Sequence, residues 1–138
     1  MKIVLDTNSL IQSVPRQSRY HIVWESLVKG EHVLCVSNDI LEEYLEILQR
    51  LTDYETAELI VKTIVNGPFV ELITPYYHFQ MIQADPDDNK FVDCAIAANA
   101  KFIVTEDHHF NVLKEIDFPS VDVINIDDFL KEVMSRYS

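Results

Sequence analysis

The sequence predicts an α/β fold, a five-stranded parallel sheet covered by helices on both faces. Three observations carry this. Five short apolar runs alternate with longer segments of helical period. The opening run, Lys2-Ile3-Val4-Leu5 leading to Asp6, is continuously apolar rather than alternating, as in a strand buried on both faces. The chain has 138 residues, just under half of them apolar, without repeats, low-complexity tracts or a Gly/Ser linker. That length and composition suit one domain with its own core.

In chain order, Lys2 to Asp6 is the first strand. Residues 18–30 follow a helical pattern closed by Gly30 as a C-cap. His32 to Val36 is the second strand, and Ser37 or Asn38 then caps a helix running to Leu51. A further helix spans Asp53 to Val65 and stops at Asn66-Gly67-Pro68. Phe69 to Ile73 is the third strand. Tyr76 to Ala84 fits neither period. Asp85-Pro86-Asp87-Asp88 opens a helix to Asn99. Phe102 to Thr105 is the fourth strand, a short helix follows Asp107, Val121 to Ile124 is the fifth strand, and Asp127 starts the last helix.

Composition excludes several function classes. Gly30 and Gly67 are the two glycines, too few for a dinucleotide fingerprint or a phosphate-cradling loop. The two cysteines, Cys35 and Cys94, lie in apolar runs and read as buried free thiols. The apolar runs are too short to span a bilayer, and the N-terminus enters a core strand without a signal-peptide layout, so a cytoplasmic protein is expected. The formal charge of −12 is the wrong sign for holding nucleic acid by bulk electrostatics. It leaves room for a polyanion bound locally through cations.

Open parallel sheets present their ligands at the carboxyl ends of the strands. Asp6 closes the first strand and Asp107 follows the fourth, so both belong at one edge. At about 100° per residue, Ile40, Tyr44, Leu45, Ile47, Leu48 and Leu51 mark the buried face of their helix. Glu43 borders that face, while Glu42 and Glu46 point away. On the helix after Asp88, the face formed by Phe91, Val92, Cys94 and Ala95 includes Asp88, whereas Lys90 and Asp93 are placed outward. Each acid alone has an ordinary explanation, as an N-cap or a solvated surface charge. Four inward-facing acids from four elements are costly together unless a cation binds them. An all-oxygen set suits Mg²⁺ or Mn²⁺. Arg16, Arg19, Lys29, Arg50 and Lys90 are the candidate phosphate contacts, with Arg50 also a candidate ion-pair partner of Glu43. His108 and His109 read as a surface pair, with metal ligation the lesser alternative.

Asp6-Thr7-Asn8 after the opening strand, Ser37 followed by Ile40-Leu41-Glu42-Glu43-Tyr44, Asp85-Pro86-Asp87-Asp88 before an Ala-rich helix, and Ile103-Val104-Thr105-Glu106-Asp107 together resemble the PIN domain. The resemblance spans nearly the whole chain in order, and is nearest to the bacterial and archaeal toxin components of toxin–antitoxin systems. It implies a three-layer α/β/α fold, ribonuclease activity with Mg²⁺ or Mn²⁺, an RNA substrate, an antitoxin partner and a homodimer. It also implies that Asp6, Glu43, Asp88 and Asp107 are the catalytic, metal-binding acids, supported by Asn8 and Thr105. The interval from Asp88 to Asp107 is a residue longer than in many relatives, which keeps Asp87 as a second candidate.

Rival readings fit less well. A haloacid-dehalogenase-like phosphatase needs an acid two residues beyond Asp6, where Asn8 stands. A phospho-acceptor receiver domain needs an Asp after a middle strand, which Val70 to Thr74 does not supply. The alternative from a non-enzymatic class is an inactive PIN-like scaffold or partner-binding protein, against which the four acids argue.

Overall fold

Ile3, Val4 and Leu5 have no solvent exposure. Successive strand side chains point to opposite faces, so full burial at three consecutive positions requires cover on both sides of the sheet. In the computed structural model, which describes residues 1–135, these residues lie in β1 (Lys2–Leu5), the central strand. Beside it stand β2 (Val33–Val36), then β3 (Val70–Leu72). On the other side stand β4 (Phe102–Val104), then β5 (Asp122–Ile124). The order is β3-β2-β1-β4-β5 and every pairing is parallel. The five-stranded parallel sheet of the three-layer α/β/α fold is present.

Helices α1 (Thr7–Ser13), α2 (His21–Val28), α3 (Asn38–Leu51), α4 (Tyr54–Asn66), α5 (Asn89–Ala98) and α6 (Ile126–Ser135) connect and cover the strands. Ser37 caps α3, its hydroxyl accepting from the Ile40 amide at 3.3 Å. Asp53 caps α4 in the same way through Thr56 at 2.8 Å. Gly30, at φ 77°, turns the chain after α2, and Asn99, at φ 54°, ends α5 in a left-handed cap. The short helix expected after Asp107 is a 3-10 segment, His108–Glu115. Helix α1 departs from expectation. It begins directly at the end of β1, and α2 starts only at His21, with turns between them. Among the described residues no helix is long and apolar enough to cross a membrane.

The segment between β3 and α5 has no regular secondary structure up to a 3-10 turn at Pro86–Asp88. It is held by side chains of α5. The Asn89 amide group accepts from the Ile82 N–H and donates to the Ile82 carbonyl, both at 2.8 Å. Asp93 accepts from the Phe79 amide at 3.0 Å and lies 3.2 Å from His78 Nδ1. Asp93 is therefore only 4% exposed, which corrects the outward placement expected from the helical wheel. The wheel located the face turned away from the sheet, and this segment folds back over that face. Cys35 and Cys94 are buried free thiols, as expected. Burial pushes their pKa values up to about 11 and about 12, so both stay protonated and unreactive.

The chain lays down β1, β2 and β3 in one direction and returns to place β4 on the free side of β1. The carboxyl ends of β1 and β4 thus adjoin at the point where strand order reverses, the usual crevice of an open α/β sheet.

Candidate active site

Asp6 emerges at that crevice. Its backbone N–H donates to Val104 O at 3.0 Å, continuing the ladder one residue past β1. Its carboxylate accepts from the Thr7 amide at 2.8 Å and from the Thr105 hydroxyl at 2.7 Å. Thr105 Oγ1 also accepts from the Asp107 amide at 3.0 Å. One hydroxyl thus fixes the carboxylate at the end of β1 and the backbone beyond β4. The Asp107 carboxylate, in turn, accepts from the His109 amide at 2.9 Å and lies 3.3 Å from His109 Nδ1. Burial raises the pKa of Asp6, with smaller contributions in the same direction from Glu43 and Asp107; its two hydrogen bonds oppose the shift.

Glu43 reaches the crevice from α3, where the following residue anchors the helix. The fully buried Tyr44 donates its phenol hydrogen to Leu5 O at 2.5 Å, tying α3 to the last residue of β1. One Glu43 oxygen accepts from the Thr7 hydroxyl. The other lies 2.7 Å from Lys90 Nζ. Lys90 is thus turned inward, with only 16% of its side chain exposed, against the outward placement expected from its helical position. Phe91 faces the core and Lys90 still reaches α3, because its long stem runs along the helix surface to Glu43. Arg50 does not pair with Glu43; it pairs with Glu46 at 2.6 Å. Desolvation would lower the pKa of Lys90, but hydrogen bonds to Glu43 and Asp87 outweigh it and hold the ammonium above its usual range.

Asp88 enters from the turn before α5. Its side chain is 13% exposed and Oδ2 has no hydrogen-bond partner, with His109 Nδ1 at 3.8 Å. Burial pushes its pKa up to about 7, helped by the negative charges of Asp85, Asp107 and Asp6. Asp87 faces out and pairs with Lys90 at 3.2 Å. Of the two aspartates, Asp88 is therefore the one placed with Asp6 and Asp107. Asn8 is exposed on the first turn of α1 and, among the described residues, hydrogen-bonds to none of the four acids.

The crevice thus holds clustered carboxylates, a buried oxygen without a partner and a pKa pushed into the neutral range. This is the arrangement expected where a cation completes the charge balance. Carboxylate oxygens suit a hard divalent ion, but the groups of described residues close enough to share one contain Asp88 or Asp107 and not Asp6. His109 stands close enough to Asp85 and Asp88, and to Asp107 and His108, for a shared ion. The histidine pair is therefore part of the crevice rim. The sequence offered Lys90 as a candidate phosphate contact but placed it outward; its pairing with Glu43 was not visible there.

Beside the crevice runs a groove of about 1070 Å³, walled by α3 on one side and by the β3–α5 segment on the other. Glu43, Asp87 and Lys90 line it, while Asp6, Asp88 and Asp107 do not. The Glu43–Lys90 pair thus borders both spaces.

Comparison with known proteins bears on the fold and the family. No curated protein sequence matches the chain. Its fold is similar to that of VapBC2 from Rickettsia felis bound to a promoter DNA fragment (TM-score 0.61, 20% identity, 91% of this chain and 98% of that one). It is also similar to VapBC-1 from nontypeable Haemophilus influenzae (TM-score 0.61, 15% identity, 92% and 99%). A third similar structure is the PIN domain endonuclease Utp24 (TM-score 0.52, 16% identity, 90% and 84%). At these identities the likeness concerns the fold. The family model for the PIN domain matches residues 2–109, and the chain belongs to the PIN-domain family.

Proposed function

We propose that the protein is a Mg²⁺- or Mn²⁺-dependent endoribonuclease and the toxin of a type II toxin–antitoxin pair. The observation that carries the nuclease reading is that Asp6, Asp88 and Asp107 lie near enough at this crevice for the charge of Asp107 to raise the pKa of the other two, with Asp88 Oδ2 buried and without a hydrogen-bond partner among the described residues. A divalent cation bound there would supply Lewis acidity, making water nucleophilic at neutral pH and offsetting charge on the phosphate. The chain's part is to hold acids in place. Thr105 and the Thr7 amide orient Asp6, Thr105 positions the Asp107 backbone, and Thr7 with Lys90 orients Glu43. No nucleophilic side chain is needed.

RNA in single-stranded form is the substrate that best suits the surroundings. Tyr76 and Tyr77 do not line the groove but stand exposed to solvent next to Pro75 and His78, which do, and the rings of Tyr77 and Phe79 lie 6.2 Å apart. Unpaired bases stack on such rings. The toxin assignment is supported by the family membership and by the two VapBC relatives in fold, and an antitoxin is the expected protein partner. A homodimer is also expected, through the exposed Leu51, Tyr54 and Leu59 near the α3–α4 junction.

The deciding experiment is cleavage of an end-labelled single-stranded RNA with Mn²⁺, with Mg²⁺ and in EDTA. Cleavage that needs the metal and is abolished by Asp6→Asn is expected. Wild-type protein inert with both metals, or equally active in EDTA, would defeat the reading.

A further inference from the structure

The acids of the crevice fall into two groups that differ in how their charge is answered. Among the described residues no lysine or arginine pairs with Asp6, Asp88 or Asp107, histidines neighbouring Asp88 and Asp107 instead, and Asp88 Oδ2 has no hydrogen-bond partner. Glu43 differs. Thr7 donates to one of its oxygens and Lys90 takes the other, so an ion coordinated directly would have to share its oxygen with a hydrogen-bond donor, and on the second oxygen with an ammonium. The Lys90 pair is also unlike the surface pairs of this protein. In Arg50–Glu46 the side chains are 67% and 59% exposed, in the range where ion pairs contribute little. Lys90 and Glu43 are 16% and 18% exposed, in a setting where like charges repel more strongly than in water.

We propose that Lys90 stands in for a second metal ion, so that the site takes one divalent cation on Asp6, Asp88 and Asp107 while the Lys90 ammonium neutralises Glu43 and faces the substrate phosphate. This assignment rests on the metal-dependent nuclease reading above. A second dication beside Glu43 would lie within a few ångströms of a fixed ammonium, which disfavours it strongly. An ammonium has three N–H donors. Glu43 and Asp87 use two, leaving one for a phosphate oxygen in the groove that Lys90 lines. Among the described residues Lys90 is the one lysine or arginine that lines the groove, alongside the carboxylates of Asp39, Glu42, Glu43, Glu46, Asp87 and Asp93, so its free N–H is the cationic donor available there to a phosphate.

The test is Mn²⁺ stoichiometry, read from the paramagnetic resonance signal of free aqueous Mn²⁺ during titration of the full chain. Wild-type protein should bind one Mn²⁺. Glu43→Gln should still bind one, with a dissociation constant within about threefold, whereas Asp88→Asn should weaken binding at least tenfold by removing a ligand charge. Lys90→Met should bind a second ion, and Lys90→Arg should stay at one. Far-UV circular dichroism checks that each variant folds; if Lys90→Met does not, wild type and Glu43→Gln decide between one ion and two. Two ions in wild type, with one lost in Glu43→Gln, would overturn the proposal and leave the nuclease reading standing. A stoichiometry of one that persists in folded Lys90→Met would also overturn it, because Lys90 would not be what keeps the second ion out. No binding up to millimolar Mn²⁺ would remove both the proposal and the metal-dependent reading beneath it.

Discussion

The Thr105 hydroxyl donates to Asp6 Oδ2 at 2.7 Å across 99 residues of sequence, and the same oxygen accepts the Asp107 amide. Thr105→Val keeps the shape of the side chain and removes both bonds. It should destabilise the fold by about 1–3 kcal/mol, the cost of leaving buried polar groups unsatisfied. It should also slow RNA cleavage by roughly 10–100-fold, as loss of an orienting partner does at metal sites. Thr105→Ser should recover most of both losses. Urea unfolding and initial cleavage rates measure the two effects, and full activity in Thr105→Val would show that Asp6 needs no such restraint.

Metal should stabilise the protein through the acids. A cation that binds only the folded chain adds about 2.7 kcal/mol at a hundredfold excess over its dissociation constant. That corresponds to roughly 3–6 °C in melting temperature for a chain of this size. Asp6→Asn should melt higher than wild type in EDTA, since burial and neighbouring acids make its charge costly, and should respond less to Mn²⁺. Asp93→Asn is the control. It can still accept the Phe79 amide, so most cleavage and the full metal response should remain. Equal Mn²⁺ shifts in wild type and Asp6→Asn would put the ion elsewhere.

Stability without metal should fall as pH rises. The pKa of Asp88 goes from 3.8 to about 7 on folding, because of burial and the charges of Asp85, Asp107 and Asp6; His109 also faces it. Between those values the folded chain keeps a proton that the unfolded chain releases, so unfolding becomes easier as pH climbs from about 4 through 7. In EDTA the melting temperature should therefore be lower at pH 8 than at pH 5.5, and Asp88→Asn should flatten the slope. With Mn²⁺ the slope should diminish, because the ion replaces the proton. A rising profile in EDTA would contradict the sign.

Tyr76 and Tyr77 supply a further comparison. Replacing both by Ala should raise KM for single-stranded RNA by an amount equivalent to about 1–3 kcal/mol per stacked base, with kcat little changed. An unchanged KM would place the bases elsewhere.

For assembly, Leu59 is 66% exposed on α4, and Leu51 is 61% exposed at the end of α3. Leu59→Glu should convert a dimer into a monomer at tens of micromolar in light scattering. A wild-type monomer under the same conditions would remove the dimer from consideration.

The strands were legible because each is a short apolar run ended by turn chemistry. The placement of Asp6 and Asp107 at one edge followed from the carboxyl ends of parallel strands alone. Helix α1 was hidden because Thr7-Asn8-Ser9 has weak helix propensity and follows β1 without a connecting loop. Lys90 and Asp93 were misplaced for a common reason. A helical wheel ranks positions against one buried face, and α5 has neighbours on its other side as well, α3 reached by Lys90 and the 76–82 stretch held by Asp93. What covers that second face depends on a segment with no periodicity of its own.

The insertion of β4 beside β1 has a consequence for how the protein is made. Residues up to Leu72 emerge from the ribosome with three neighbouring strands and with Asp6 and Glu43, while Asp88, Thr105 and Asp107 come later. A nascent chain carrying only the first half has neither the β4 edge nor half of its acids. If the chain is a toxin, it stays harmless during its own translation until synthesis has passed β4, which gives a partner protein that window in which to meet it. Expressed as two separate pieces divided within the 74–84 stretch, the halves should each be inert and regain function only when the β1 and β4 edges find one another.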